Sequence, residues 1–193
     1  MQQNDQITTM TKIQEAIKQM SSEERDTLLA AYMEKDKAWA PKPVAIEVRR
    51  REMNEVSGNR IYNIIVILED GQEVKIHFRN LKSEVLYVYA LLHPRGFLRE
   101  SLNKPGCPKL ARLYNLLYMA DPRILVNQAS QNFDRMISQA ISDARRSIEE
   151  ALIFAEELSF GNPRHYDMKI VIPAVYDGLE VILDPEISAY QHI

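Results

Sequence analysis

With 193 residues, 46% of them apolar and 26% charged, the chain has the composition of one or two small globular domains. A net charge of −3 excludes the strongly basic class of nucleic-acid binders and leaves at most a local basic patch. A lone cysteine, Cys107, excludes an internal disulfide, and no run reaches the roughly 18 apolar residues of a membrane span.

The opening MQQNDQITTM is polar and lacks the apolar stretch of a secretory signal. Together with the single cysteine it predicts a cytoplasmic protein with no membrane contact. From Thr9, residues Met10, Ile13, Ala16, Ile17 and Met20 recur at helical spacing. Ser21 and Glu24 then stand at the N-cap and N3 positions of a capping box, opening a short helix that carries Leu28, Leu29, Tyr32 and Met33. The Thr9–Glu34 stretch predicts a helical hairpin too small for its own core, hence one that packs on the main body or on a partner subunit, as in a homodimer or a complex with another protein. Pro41 and Pro43 make Lys37–Pro43 the expected linker. The expected division is a hairpin and linker over 1–40 and a main domain over 41–193.

Strands follow. Val44–Met53 is the first, and Ser57-Gly58-Asn59 is turn chemistry. Ile61–Leu68 holds an unbroken β-branched run, the pattern of a strand covered on both faces. Asp70-Gly71 turns into a third strand with Val74, Ile76 and Phe78 on one face and Lys75, His77 and Arg79 on the other. These predict a three-stranded antiparallel sheet. Arg49, Arg50 and Arg51 alternate in direction along a strand, so the run reads as a solvated edge that discourages aggregation.

Three helices come next. Ser83 is placed to cap one that carries Val85, Leu86, Val88, Tyr89, Leu91 and Leu92, ended by His93-Pro94-Arg95-Gly96. After a Phe97–Asn103 connector, Lys104–Pro108 is a break. Lys109–Met119 places Leu110, Leu113, Leu116 and Leu117 on one face, and Asp121-Pro122 is a stop and restart. Gln131–Leu158 is predicted as a long amphipathic helix. Its stripe is Phe133, Met136, Ile137, Ala140, Ile141, Ala144, Ile148, Leu152 and Ala155; Arg135, Gln139, Ser142 and Arg146 lie opposite. Gly161-Asn162-Pro163 ends it. Met168–Ile172 and Leu179–Leu183, joined through Tyr176-Asp177-Gly178, predict a C-terminal β-hairpin. The fold class is therefore α+β.

No chemistry stands out. His77, His93, His165 and His192 lack the spacing of a zinc site, and no hydrolase, protease or phosphate-loop motif occurs. No enzyme activity, metal or cofactor is expected. Tyr87, Tyr89, Tyr114 and Tyr118 fall at core positions of helices.

The stretch from Leu81-Lys82-Ser83-Glu84-Val85 to His93-Pro94-Arg95-Gly96-Phe97-Leu98-Arg99-Glu100-Ser101-Leu102 resembles the winged-helix effector domains of response regulators. Ile141-Ser142-Asp143-Ala144-Arg145-Arg146-Ser147-Ile148 is similar to that family's recognition helix. The resemblance spans about Val44–Pro185 and implies a winged-helix-like three-helix module with the C-terminal hairpin as wing. It implies binding of double-stranded DNA, as in a transcriptional regulator. Arg135, Gln139, Ser142 and Arg146 would read the major groove, and Arg164 and Lys169 would touch the backbone. Asp167, Asp177 and Glu180 in the expected wing, with the net negative charge, favour the alternative of a protein-interaction or scaffolding module that does not bind DNA.

Overall fold

The computed structural model describes residues 20–27, 31, 40–52, 60–102, 108–118, 123–152 and 155–190, without the side chains of 123–132. The chain divides into two compact units, Met1–Ala40 and Pro41–Ile193. In the first, 22–27 is helical and opens on the predicted capping box. The Ser21 amide donates to Glu24 Oε2 at 2.8 Å, and the Glu24 amide donates to Ser21 Oγ at 3.2 Å. Two N–H groups that a helix end leaves unpaired are thereby satisfied, and hydrogen bonding from the Ser21 amide first, then from its hydroxyl, holds the Glu24 carboxyl below its usual range. Most of the rest of the expected hairpin, most of the linker, the Ser57-Gly58-Asn59 turn, Cys107 and Asp121-Pro122 lie outside the described residues.

The second unit is α+β. Strands β1 (Pro43–Arg50), β2 (Tyr62–Leu68) and β3 (Glu73–Ile76) form the antiparallel meander, with Ile46 opposite Val66 and Ile65 opposite Lys75. The sheet does not stop at three strands. A later strand, β6 (Glu180–Leu183), pairs in parallel with the free side of β1, giving the order β3-β2-β1-β6. The β1 strand is thus interior over Ala45–Val48, and the arginine run lies just beyond that pairing, with Arg49 and Arg50 exposed. Its members disperse to separate partners. Arg49 reaches Glu73 at 2.9 and 2.8 Å, Arg50 reaches Glu186 at 2.8 Å, and Arg51 donates to the Tyr62 carbonyl at 3.3 Å.

The expected C-terminal hairpin does not form. Strand β5 (Lys169–Ile170) pairs instead with β4 (Phe97–Leu98), while β6 goes to β1. Pro173 is the physical cause. Its ring fixes φ and suits the first turn of a helix, so Pro173–Tyr176 coils between the two strands. The Gly178 and Leu179 amides then close that turn on Val175 and Ala174.

Three longer helices pack on the sheet unit: α1 (Leu81–Leu91), α2 (Pro108–Tyr118) and α3 (Arg123–Ala151). Asn80, not Ser83, caps α1, its Oδ1 accepting from the Lys82 amide at 2.9 Å; Ser83 is buried one turn in. The long helix begins and ends earlier than expected, and Glu156–Leu158 forms a separate 3-10 turn. Pro173–Tyr176 is α4 and Pro185–Ala189 is α5. Helix α1 is sheathed on nearly all sides, with Val85 through Leu92 buried. Against it lie Phe133, Ile137, Ala140, Ala144 and Ile148, the central part of the predicted stripe of α3. The four tyrosines are buried too, and Tyr87 donates its hydroxyl to the Leu158 carbonyl at 2.8 Å.

Gly96 joins α1 to β4 at φ +74°, where an added Cβ would lie 2.4 Å from Val171 Cγ1. Both the left-handed backbone and the close approach of β5 require glycine. Gly96→Ala is expected to cost about 2–4 kcal/mol, left-handed strain plus overpacking, read as a lowered urea midpoint at unchanged slope.

Candidate interaction surface on the long helix

Because α3 buries one stripe against α1, the opposite side is held in water. Arg135, Gln139, Ser142 and Arg146 are all exposed there, as their spacing requires. They are not equivalent. Gln139 donates its amide to Asp143 Oδ1 at 2.9 Å, and the other oxygen of Asp143 accepts from Asn80 at 3.2 Å. Among the described residues Arg135, Ser142 and Arg146 have no hydrogen-bond or ion-pair partner.

Carboxylates flank this face on both sides. Arg79, at the end of the sheet, pairs with Glu150; Arg99, just after β4, lies 3.7 Å from Asp134 and 3.4 Å from Ser138. Glu149 is exposed beside Arg146 with no partner among the described residues. Counting Arg79 and Arg99, five arginines stand among the four carboxylates Asp134, Asp143, Glu149 and Glu150. The surface is a near-balanced mixture of signs, not a positive stripe.

The two remaining expected contacts sit elsewhere. Arg164 is exposed in the Pro163–His165 turn, and Lys169 is half-buried in β5 opposite Leu98. Among the described residues no hydrogen bond or ion pair ties either to α3. The ribbon made by β4 and β5 presents carbon to solvent: Leu98 is 44% exposed and Met168 is 63% exposed. Met168 and Asp167 both have positive φ, +62° and +52°. Left-handed conformations cost a non-glycine residue about 1–3 kcal/mol and collect at functional sites.

One polar group escaped the sequence reading. Glu84, within the apolar run of α1, is buried and pairs with Arg60 at 2.7 Å while accepting from the Tyr118 hydroxyl. Arg60 also donates to the Phe78 carbonyl at 3.1 Å. Burial pushes the Glu84 carboxyl above its usual range, against the opposing pull of Arg60 and Tyr118. The signal was available: a single acid among apolar neighbours must find a cation or stay neutral.

Among the described residues no three of His, Cys, Asp and Glu gather to hold a metal ion, and no helix is long and apolar enough to cross a membrane. Comparison with family models, with curated proteins and with solved structures returns no match.

Proposed function

We propose that the chain is a non-enzymatic protein-interaction module whose contact surface is the exposed side of α3 and the adjoining β4–β5 ribbon. One observation carries this reading: that side of α3 mixes charges of both signs instead of presenting a cationic track. A duplex is a continuous line of phosphates, and Glu149, which has no partner among the described residues, would lie against it uncompensated or compete for the arginines. A protein surface offers both signs, and Leu98 and Met168 supply the apolar contacts that such a surface also uses. The resemblance to winged-helix domains remains part of the proposal. The order α1, β4, α2, α3, β5 supports such a layout, with the β4–β5 ribbon taken as the counterpart of the wing. The expected partner contact through the N-terminal helices falls largely outside the described residues.

The exposed and unpartnered state of Arg135, Ser142 and Arg146 favours a second reading, insertion of α3 into a DNA major groove with Arg164 and Lys169 on the backbone. Two measurements separate the readings. The first replaces Ser142 by a photocrosslinking benzoylphenylalanine in cells. Expected adducts survive nuclease and are removed by protease. The second is fluorescence anisotropy with random and genomic duplexes across a salt series. Negligible binding at low salt is expected for wild type and for Arg135→Ala/Arg146→Ala alike. Saturable wild-type binding that weakens by about 0.9 log units per log unit of salt for each phosphate contact, and is lost in the variant, would install the DNA reading.

A further inference from the structure

Three side chains run down the middle of the open side of α3: Arg135, Ser142 and Glu149. They recur every seven residues, which is two helical turns with a drift of only about 20°. A cation stands at one end, an anion at the other, and a small hydroxyl at the midpoint. All three are exposed and have no partner among the described residues. Such a row is complementary to itself when reversed. Placed antiparallel about a twofold axis through Ser142, it sets Arg135 of each copy against Glu149 of the other.

The flanking rows agree. Gln139 and Arg146 share one flank, so the same twofold brings the Arg146 guanidinium to the partner's Gln139, whose amide is already given to Asp143 and whose carbonyl oxygen is left to accept. Ser138 and Arg145 meet likewise on the other flank. The carboxylates that would disturb this pairing are occupied within the chain, Asp134 by Arg99 and Glu150 by Arg79. Ser142 at the axis is small enough for the two helices to approach to about 8–10 Å.

We propose that this face is the contact between two copies of the chain, α3 packed antiparallel on α3 about Ser142. The proposal rests on the protein-interaction reading above and names its partner. Arg135 and Glu149 are about 21 Å apart along the axis, so the contact covers four turns and belongs with small, weak interfaces of micromolar strength.

Sedimentation equilibrium of the whole purified chain tests it. Wild type is expected to show a monomer–dimer equilibrium. Arg135→Glu places like charges opposite one another twice, as does Glu149→Arg, and each alone is expected to raise the dimer dissociation constant about tenfold or more. Both positions are exposed and unpartnered within the chain, so the melting temperature of the monomer, measured well below the dimer dissociation constant, should not move. An equal mixture of the two variants is expected to associate again, because the altered position in each now meets its opposite in the other. Wild type that stays monomeric at every concentration, or a mixture no tighter than its parts, overturns the proposal. If protease-sensitive adducts at position 142 persist in that case, the wider protein-interaction reading stands and the second-copy partner falls; nuclease-sensitive adducts sink both.

Discussion

Arg60→Met is expected to destabilise the fold by about 3–5 kcal/mol, because it strands Glu84 in the core without its cation. The Glu84 side chain is 5% exposed and that of Arg60 is 21% exposed, so solvent replaces little of the lost partner. Tyr118 still donates a hydrogen bond, but one neutral donor does not offset a buried carboxylate. The loss depends on pH, and its sign follows from proton binding. The folded state already binds the Glu84 proton more tightly than the unfolded chain does. This group's contribution is therefore most favourable below the ordinary carboxylate range and is lost as pH rises toward its raised folded value. Removing Arg60 raises that value further and widens the window. Urea unfolding should show a larger loss for Arg60→Met at pH 8 than at pH 5. Equal losses at both would mean that Glu84 is uncharged in the native state or is reached by water. The double variant Arg60→Met/Glu84→Leu should recover part of the stability, since the two side chains act as one unit.

Ile148→Ala is expected to cost about 2–5 kcal/mol. Ile148 is fully buried in the seam between α3 and α1, alongside Ile137, Ala140 and Ala144. Two of those neighbours are alanines, whose side chains are too short to close over the space left behind. A loss below about 1 kcal/mol in chemical denaturation would show that the seam collapses readily and that α3 is less firmly seated than its burial implies. The position matters beyond stability. This seam orients α3, and so decides that Arg135, Ser142 and Glu149 face outward.

That seam was legible in the sequence because a helical repeat of three and four residues is a property of the chain itself. So was the capping box, where Ser21 and Glu24 are fixed by local geometry alone. The meander was legible for the same reason, as Val74, Ile76 and Phe78 alternate with polar residues between recognisable turns. Partner choice was not. A four-residue strand such as Glu180–Leu183 has one pattern whether it folds back on β5 or crosses to β1, and only tertiary competition decides. Asn80 and Ser83 are both good caps, and the choice fell to the one that leaves Ser83 on the buried side. For the candidate surface, exposure of Arg135, Gln139, Ser142 and Arg146 could be read from spacing. Their charge environment could not, because Arg79, Asn80 and Arg99 reach α3 from distant stretches of chain.

Pairing of β6 with β1 has a consequence for biosynthesis. The link between Arg50 and Glu186 spans 136 positions, so β1 has no neighbour on the β6 side until that whole stretch has left the ribosome. Until then the nascent sheet offers an open row of amides and carbonyls, the template on which other chains add and precipitate. A stop codon placed before Glu180 should therefore yield inclusion bodies in place of a shortened soluble product.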